Sequence, residues 1–197
     1  MTALQQQLAD AEQRKSRDLP TRFETTRLIL RAGTMADLDE TASVAVASAA
    51  ELRPWMPWAY PEPSRDSMCG YFSSLEKKWA DREVLDFQWI EKSSGQLIGK
   101  GGFHHIDWTL PKFEIGYWLR SASAGQGYCT EAVIGLIEFA KKEMDAKRFE
   151  ICSDPRNAPS RAVAERCGFT LEGIMRKNMR APDGTLRDSC VYALVIE

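Results

Sequence analysis

Leu119-Arg120-Ser121-Ala122-Ser123-Ala124-Gly125-Gln126-Gly127-Tyr128-Cys129-Thr130-Glu131-Ala132 is the stretch on which the reading turns. An alternating strand runs into a loop of small residues, through Gly-x-Gly, and then into a helical pattern. Such a loop presents successive backbone N–H groups at the positive end of a helix dipole. That arrangement suits a phosphate or pyrophosphate, which a Cβ in the loop would hold off the backbone. A plain tight turn is the alternative. A dinucleotide fingerprint fits poorly, because Thr130 stands where the third glycine is needed. A P-loop is excluded, since no Gly-Lys-Ser/Thr follows.

Upstream, residues 113–120 alternate, with Phe113, Ile115, Tyr117 and Leu119 on one face and Glu114, Gly116, Trp118 and Arg120 on the other. Residues 96–108 and 85–89 read as two further strands, joined by a turn at 93–95. A helix over 64–82 carries Met68, Tyr71, Phe72, Leu75 and Trp79 on one side. Before it, Arg53-Pro54-Trp55-Met56-Pro57-Trp58 stops a helix over 34–52, because two prolines forbid continuation. That earlier helix opens on Thr34 with Asp37 as a capping-box partner. Residues 27–32 form a short strand. Residues 1–20 read as an N-terminal extension, either a polar surface helix ending before Pro20 or a disordered tail. Downstream come a helix over 130–144, a strand over 148–153 and a helix over 160–167, with Asn157 as N-cap and Gly168 as C-cap. Strands over 170–179 and 189–196 close the chain. The sum is an α+β domain over 21–197 with seven strands, mostly antiparallel, a parallel crossover between 113 and 153, and about four helices.

Composition narrows the function. The chain has 197 residues, of which 44% are hydrophobic and 27% charged, an ordinary globular balance. Lys and Arg number 26 against 28 Asp and Glu. A nucleic-acid binder normally carries a basic excess, so no nucleic-acid partner is expected. No apolar run approaches the roughly 18–20 residues that span a bilayer, so no membrane partner is expected. The five cysteines (Cys69, Cys129, Cys152, Cys167, Cys190) are scattered and odd in number, and the two histidines are adjacent. That usage suits reduced thiols in a cytoplasm and argues against a metal site.

The element order and several motifs resemble the GNAT superfamily of acetyl-CoA-dependent N-acetyltransferases. Leu52-Arg53-Pro54-Trp55-Met56-Pro57-Trp58, Glu114-Ile115-Gly116-Tyr117-Trp118-Leu119, Gly125-Gln126-Gly127-Tyr128, Asn157-x-x-Ser160 and Gly168-Phe169-x-x-Glu172-Gly173 are similar to the RimJ/RimL group, which acetylates N-terminal amines of ribosomal proteins. The resemblance covers about residues 22–197. It implies a three-layer GNAT fold with a central V-shaped splay in the sheet, acetyl-CoA as cosubstrate, and a homodimer of the kind the group often forms. It also implies that Gly125, Gln126, Gly127, Tyr128, Cys129 and Thr130 bind the CoA pyrophosphate. The loop usually begins with Gln or Arg, and here Ala122 stands in that place. Trp118, Leu119 and Arg120 match the strand whose backbone pairs with the pantetheine arm. Asn157 matches a residue that hydrogen-bonds the pantetheine.

The reaction itself sets requirements. A neutral amine attacks a thioester carbonyl, charge builds on the oxygen, and a thiolate leaves. Many GNAT enzymes protonate that thiolate with a Tyr whose place is taken here by Ala164. Ser160 is the replacement, with helix capping as its alternative role. Glu114 is the candidate base, a solvated or ion-paired carboxylate being the alternative; in some relatives the base lies where Met179 stands here. His104 and His105 should alternate faces, so only one of them, taken as His104, reaches the cleft. Trp55, Trp58 and Tyr60 would wall the acceptor channel, or plug the gap between helices. Cys129, at a helix N-terminus, could have a lowered pKa, or be an inert residue beside CoA. Asp188 could hold an acceptor amine or Arg187. The expected reaction is direct transfer to a primary amine, first a protein N-terminus and second a small-molecule amine. The rival from another class is a non-catalytic acyl-CoA-binding module, which would bind CoA without turnover.

Overall fold

Alternating apolar side chains need a partner on each face of a sheet, and amphipathic helices supply it. The computed structural model describes residues 2–60 and 62–197. The chain runs α1 (Ala3–Lys15), β1 (Arg22–Glu24), β2 (Leu28–Ala32), α2 (Leu38–Ala47), α3 (Ala49–Leu52), α4 (Arg65–Ala80), β3 (Leu85–Glu91), β4 (Leu97–Asp107) and β5 (Lys112–Leu119). It continues through α5 (Tyr128–Met144), β6 (Arg148–Ser153), α6 (Ala158–Arg166), β7 (Thr170–Arg180) and β8 (Leu186–Val195). The strands form one sheet in the order β1-β2-β3-β4-β5-β6-β8-β7. Only β5 and β6 pair in parallel.

The sheet has eight strands where seven were expected. The extra one, β1, is three residues with one half-buried side chain, too short for a period to register. The described residues also hold six α-helices rather than about four. α1 is formed, and the expected helix over 34–52 is broken at Ser48, where φ is −113°. α1 touches the main core through Ala11 and is tied at its end by Arg14, which donates to Trp108 O at 3.0 Å.

The two faces of β5 separate as the alternation predicts. Phe113 and Ile115 join Leu28, Phe87, Phe149 and the α5 stripe of Val133, Leu136 and Ala140 in the main core. Trp118 joins Leu38, Ala42, Met68, Phe72 and Leu75 of α2 and α4 on the other face. Each large side chain so buried contributes on the order of 1.5–3 kcal/mol against exposure. The helical layers thereby hold β5 rigidly from both faces.

One edge of β5 is left open. β6 pairs with it only from Lys112↔Arg148 to Glu114↔Glu150, although β5 runs on to Leu119. The far edge of β6 is fully paired with β8. The parallel pair therefore splays, and the gap opens next to the loop that follows β5.

Candidate active site

The loop between β5 and α5 is backbone-built. Gly125 has φ +75° and Gly127 φ +82°, conformations that a side chain resists. Gly127 is the N-cap of α5, which starts at Tyr128, so the helix N–H groups point into the loop. The loop is braced from behind. Arg27 donates to Gln126 O at 3.0 Å and pairs with Glu131 at 2.6 Å. The Arg27 guanidinium lies 4.2 Å over the Tyr128 ring, and Tyr128 Oη donates to Glu91. The Tyr128 side chain is thus a strut, which leaves only its backbone for a ligand. Thr130 Oγ1 accepts from Arg166 at 3.3 Å. On the strand before the loop, Arg120 donates its N–H to Ile98 O at 2.7 Å. Antiparallel alternation then turns the backbone groups of Leu119 and Tyr117 toward the open edge and those of Trp118 toward β4.

The splay opens into a cleft of about 470 Å³ that runs past Trp55, Trp58, His104, Glu114, Tyr117, Trp118, Asn157 and Ser160. The sequence candidates from four separate elements are therefore brought together. Tyr60 is not: it is 49% exposed and lies off the cleft, because its short 3-10 turn at Pro57–Ala59 points it outward. Trp58 packs against Trp118 with centroids 5.4 Å apart, so these two rings form one wall.

Glu114 does not stand alone. His104 Nε2 lies 3.3 Å from Glu114 Oε1, and His105 Nδ1 lies 2.8 Å from Oε2. Adjacent strand residues should face opposite ways, but His105 has φ +47° and the β4–β5 register slips between His104 and Asp107. That bulge swings both rings to one carboxylate. Only His104 lines the cleft. Its ring rests on Gly116, where a Cβ would meet His104 Cε1 at 2.7 Å. Burial pushes the Glu114 pKa up, but hydrogen bonds from the two imidazoles outweigh it and hold the carboxyl at about 2. The donor atoms of the three residues lie within 4.8 Å of one another, while ligands on a tetrahedral zinc stand roughly 3.4 Å apart. The imidazole–carboxylate contacts, at 3.3 and 2.8 Å, are already that close, so only the two imidazoles would have to approach each other.

On the opposite wall, Asn157 Oδ1 accepts from Ser160 N at 3.3 Å, so Asn157 caps α6. Ser160 is free of that duty. Its Oγ lies 3.2 Å from Tyr117 Oη. Burial raises the Tyr117 pKa, so the phenol stays neutral and able to donate.

An open β5 edge, a glycine loop at a helix start and a cleft at the splay of β5 and β6 are the features to set beside known proteins. The profile of the acetyltransferase (GNAT) domain matches residues 27–170. The chain belongs to the GNAT acetyltransferase family. It is 32% identical, over 81% of its length and 86% of the relative's, to the provisionally named ribosomal N-acetyltransferase YdaF of Bacillus subtilis (strain 168). It is 34% identical, over 52% of its length and 56% of the relative's, to the ribosomal-protein-serine acetyltransferase of Escherichia coli (strain K12). Among solved structures, the microcin C7 self-immunity acetyltransferase MccE, crystallised with acetyl-CoA and AMP, superposes with a TM-score of 0.81 at 25% identity, covering 87% of this chain and 93% of that one. The protein is an N-acetyltransferase of GNAT type.

Several groups in the GNAT cleft were not singled out from sequence. Lys100 and Asp86 form a buried ion pair, and Tyr71 Oη donates to Asp86 Oδ2 at 2.8 Å. Tyr117 read only as an apolar strand position, and its reach to Ser160 depends on where α6 docks. Arg187 lines the cleft, whereas Asp188 accepts from Lys177 N at 2.8 Å and faces the β7 backbone. Of the two readings of Cys129 the inert one fits: burial pushes the thiol up to about 12, more than the nearby Arg166 charge offsets. Cys152, which lines the cleft, is pushed up to about 12 by burial and then by the nearby Glu114 charge.

Proposed function

We propose that the protein transfers an acetyl group from acetyl-CoA directly to a primary amine, with a protein N-terminus as acceptor. The observation that carries this reading is the free β5 edge leading into the 125–127 loop. The loop N–H groups would take the pyrophosphate, and the Leu119 and Tyr117 backbone would pair with the pantetheine arm as an added strand. The ribosomal-protein acetyltransferases among the relatives favour a protein amine.

In this reading the acceptor passes between Trp55 and Trp58 and meets the carbonyl beside Glu114. An ammonium must lose a proton before attack. Glu114 stays ionised at any physiological pH, yet with a pKa of about 2 it is a weak proton acceptor. It therefore attracts the ammonium and orients His104, whose ring takes the proton. An open-edge backbone N–H faces the developing oxyanion. Ser160 Oγ, held by Tyr117 Oη, hydrogen-bonds the departing thiolate, which takes up the second proton that the amine nitrogen loses as the amide forms. Direct transfer suits the cysteines, because at neutral pH a thiol with a pKa of about 12 is no nucleophile.

The test is a thermal-shift titration with acetyl-CoA, followed by thiol release over N-terminal peptides and small amines. Ligand at about 100 times its Kd stabilises a two-state fold by roughly 2.7 kcal/mol. A shift with peptide-dependent thiol release is expected. A shift without release on any amine would leave a binding module, and no shift would remove the cofactor assignment.

A further inference from the structure

The acceptor wall of the cleft carries a buried cation with two unbonded donors. Arg187 on β8 is 9% exposed and lines the cleft beside Trp55, Ser153 and Met179. Its Nη2 donates to Trp55 O at 3.3 Å. Its Nε and Nη1 are buried and have no hydrogen-bond acceptor among the described residues. The nearest carboxylate, Asp154, stands 3.7 Å from Nη1, outside hydrogen-bond reach. Both Asp154 oxygens are already taken by Arg156, at 2.9 Å to Oδ1 and 2.7 Å to Oδ2. Ser153 Oγ, on the neighbouring strand, is also buried and unpartnered. A guanidinium withdrawn from water with two idle donors is costly, and it is the side chain that best matches a carboxylate.

The other charged groups in the cleft have hydrogen-bond partners of their own. Lys100 pairs with Asp86, Arg156 with Asp154, and Glu114 sits between two imidazoles.

We infer that Arg187, with Ser153, is a recognition site for a carboxylate carried by the acceptor close to its amine. The inference rests on the acetyltransferase reading above and narrows its substrate class. Two sources share this chemistry: the acidic side chain of an N-terminal Asp or Glu residue, and the α-carboxylate of a free amino acid. Glu114 draws the ammonium while Arg187 holds the carboxylate, so the two charges orient the acceptor across the cleft.

The experiment compares acid and amide isosteres: peptides beginning with Glu or Asp against Gln or Asn, and free amino acids against their α-amides. Wild type should favour the acid member by about tenfold or more in kcat/KM. Whichever pair shows the gap names the source. In Arg187→Met the gap should fall within about twofold, with the KM for acetyl-CoA and the turnover of the amide acceptor retained. Arg187→Lys, which keeps the charge but loses the fork, should keep part of it. Binding of N-acetyl-Glu and N-acetyl-Gln peptides to the CoA-loaded protein, read by calorimetry, applies the same comparison without turnover. Equal handling of acid and amide by the wild type overturns the inference, and needs no variant to fold. So does an acid preference that survives in Arg187→Met. Loss of acetyl-CoA binding or of all thiol release would instead strike the acetyltransferase reading, so the two failures are distinct.

Discussion

The two sides of the cleft are built from different material. The side proposed for the cofactor is backbone: the open edge of β5, two left-handed glycines and the first turn of α5. The acceptor side is side chains drawn from five places in the chain: Trp55, Trp58, His104, Glu114 and Arg187. A backbone site tolerates varied side chains but not a lost glycine. A side-chain site depends on each contributor separately. The first side fits a ligand common to a family, and the second a ligand particular to this chain.

That contrast can be broken most easily at Gly127. A valine there would be strained at φ +82°, and its Cβ would stand 3.6 Å from the Arg27 guanidinium that braces the loop. Gly127→Val should weaken acetyl-CoA binding about 100-fold or more by calorimetry, with the far-UV spectrum unchanged. A loss below about fivefold would mean that the loop is only a turn.

Ser160→Ala tests the join between the two sides. It should lower kcat by about tenfold to 100-fold while acetyl-CoA affinity stays within about threefold. Loss of affinity instead of turnover would assign Ser160 to binding.

Glu114→Gln addresses the acceptor side, with kcat/KM expected to fall about tenfold. It also carries a stability signature. The folded-state pKa of about 2 lies below the ordinary value of 4.5, so the ionised form favours the fold. That contribution is present above pH 4.5 and is lost as the pH falls toward 2. Wild type should therefore lose more melting temperature than Glu114→Gln across that window. Parallel melting curves would show that the imidazoles do not hold the carboxyl down.

The smallest effects are expected off the cleft. Trp58→Ala should raise the acceptor KM several-fold, whereas Tyr60→Ala should leave it within about twofold. Cys129→Ser should leave turnover intact, and Cys129 should resist alkylation at neutral pH, since burial holds its pKa at about 12.

Much of the cofactor side was legible in advance because glycine and period are local signals. The 125–127 loop, the two-faced strand before it and the amphipathic helix after it all lie within one continuous stretch. Asn157 and Ser160 were found as a pair, but which of them caps α6 was settled only by the 3.3 Å contact from Ser160 N to Asn157 Oδ1. The acceptor side was less readable. Strict alternation put His104 and His105 on opposite faces, and no local residue type announces the bulge that brings them together. Tyr60 was grouped with the tryptophans by adjacency, although direction at the end of a 3-10 turn depends on how that turn packs. Arg187 lies far along the chain from Trp55, and its burial there could not be read from a charged residue in a closing strand.

By itself the sequence determined the succession of elements, the two faces of each long strand and the glycine loop ahead of α5. Each of these follows from backbone geometry and side-chain period over a few residues. The tertiary structure alone decided where β5 and β6 part, which histidine enters the cleft, that Tyr117 backs Ser160, and that two donors of Arg187 are buried unbonded. Those outcomes arise from the docking of distant segments, where burial and charge compensation are summed over the whole fold.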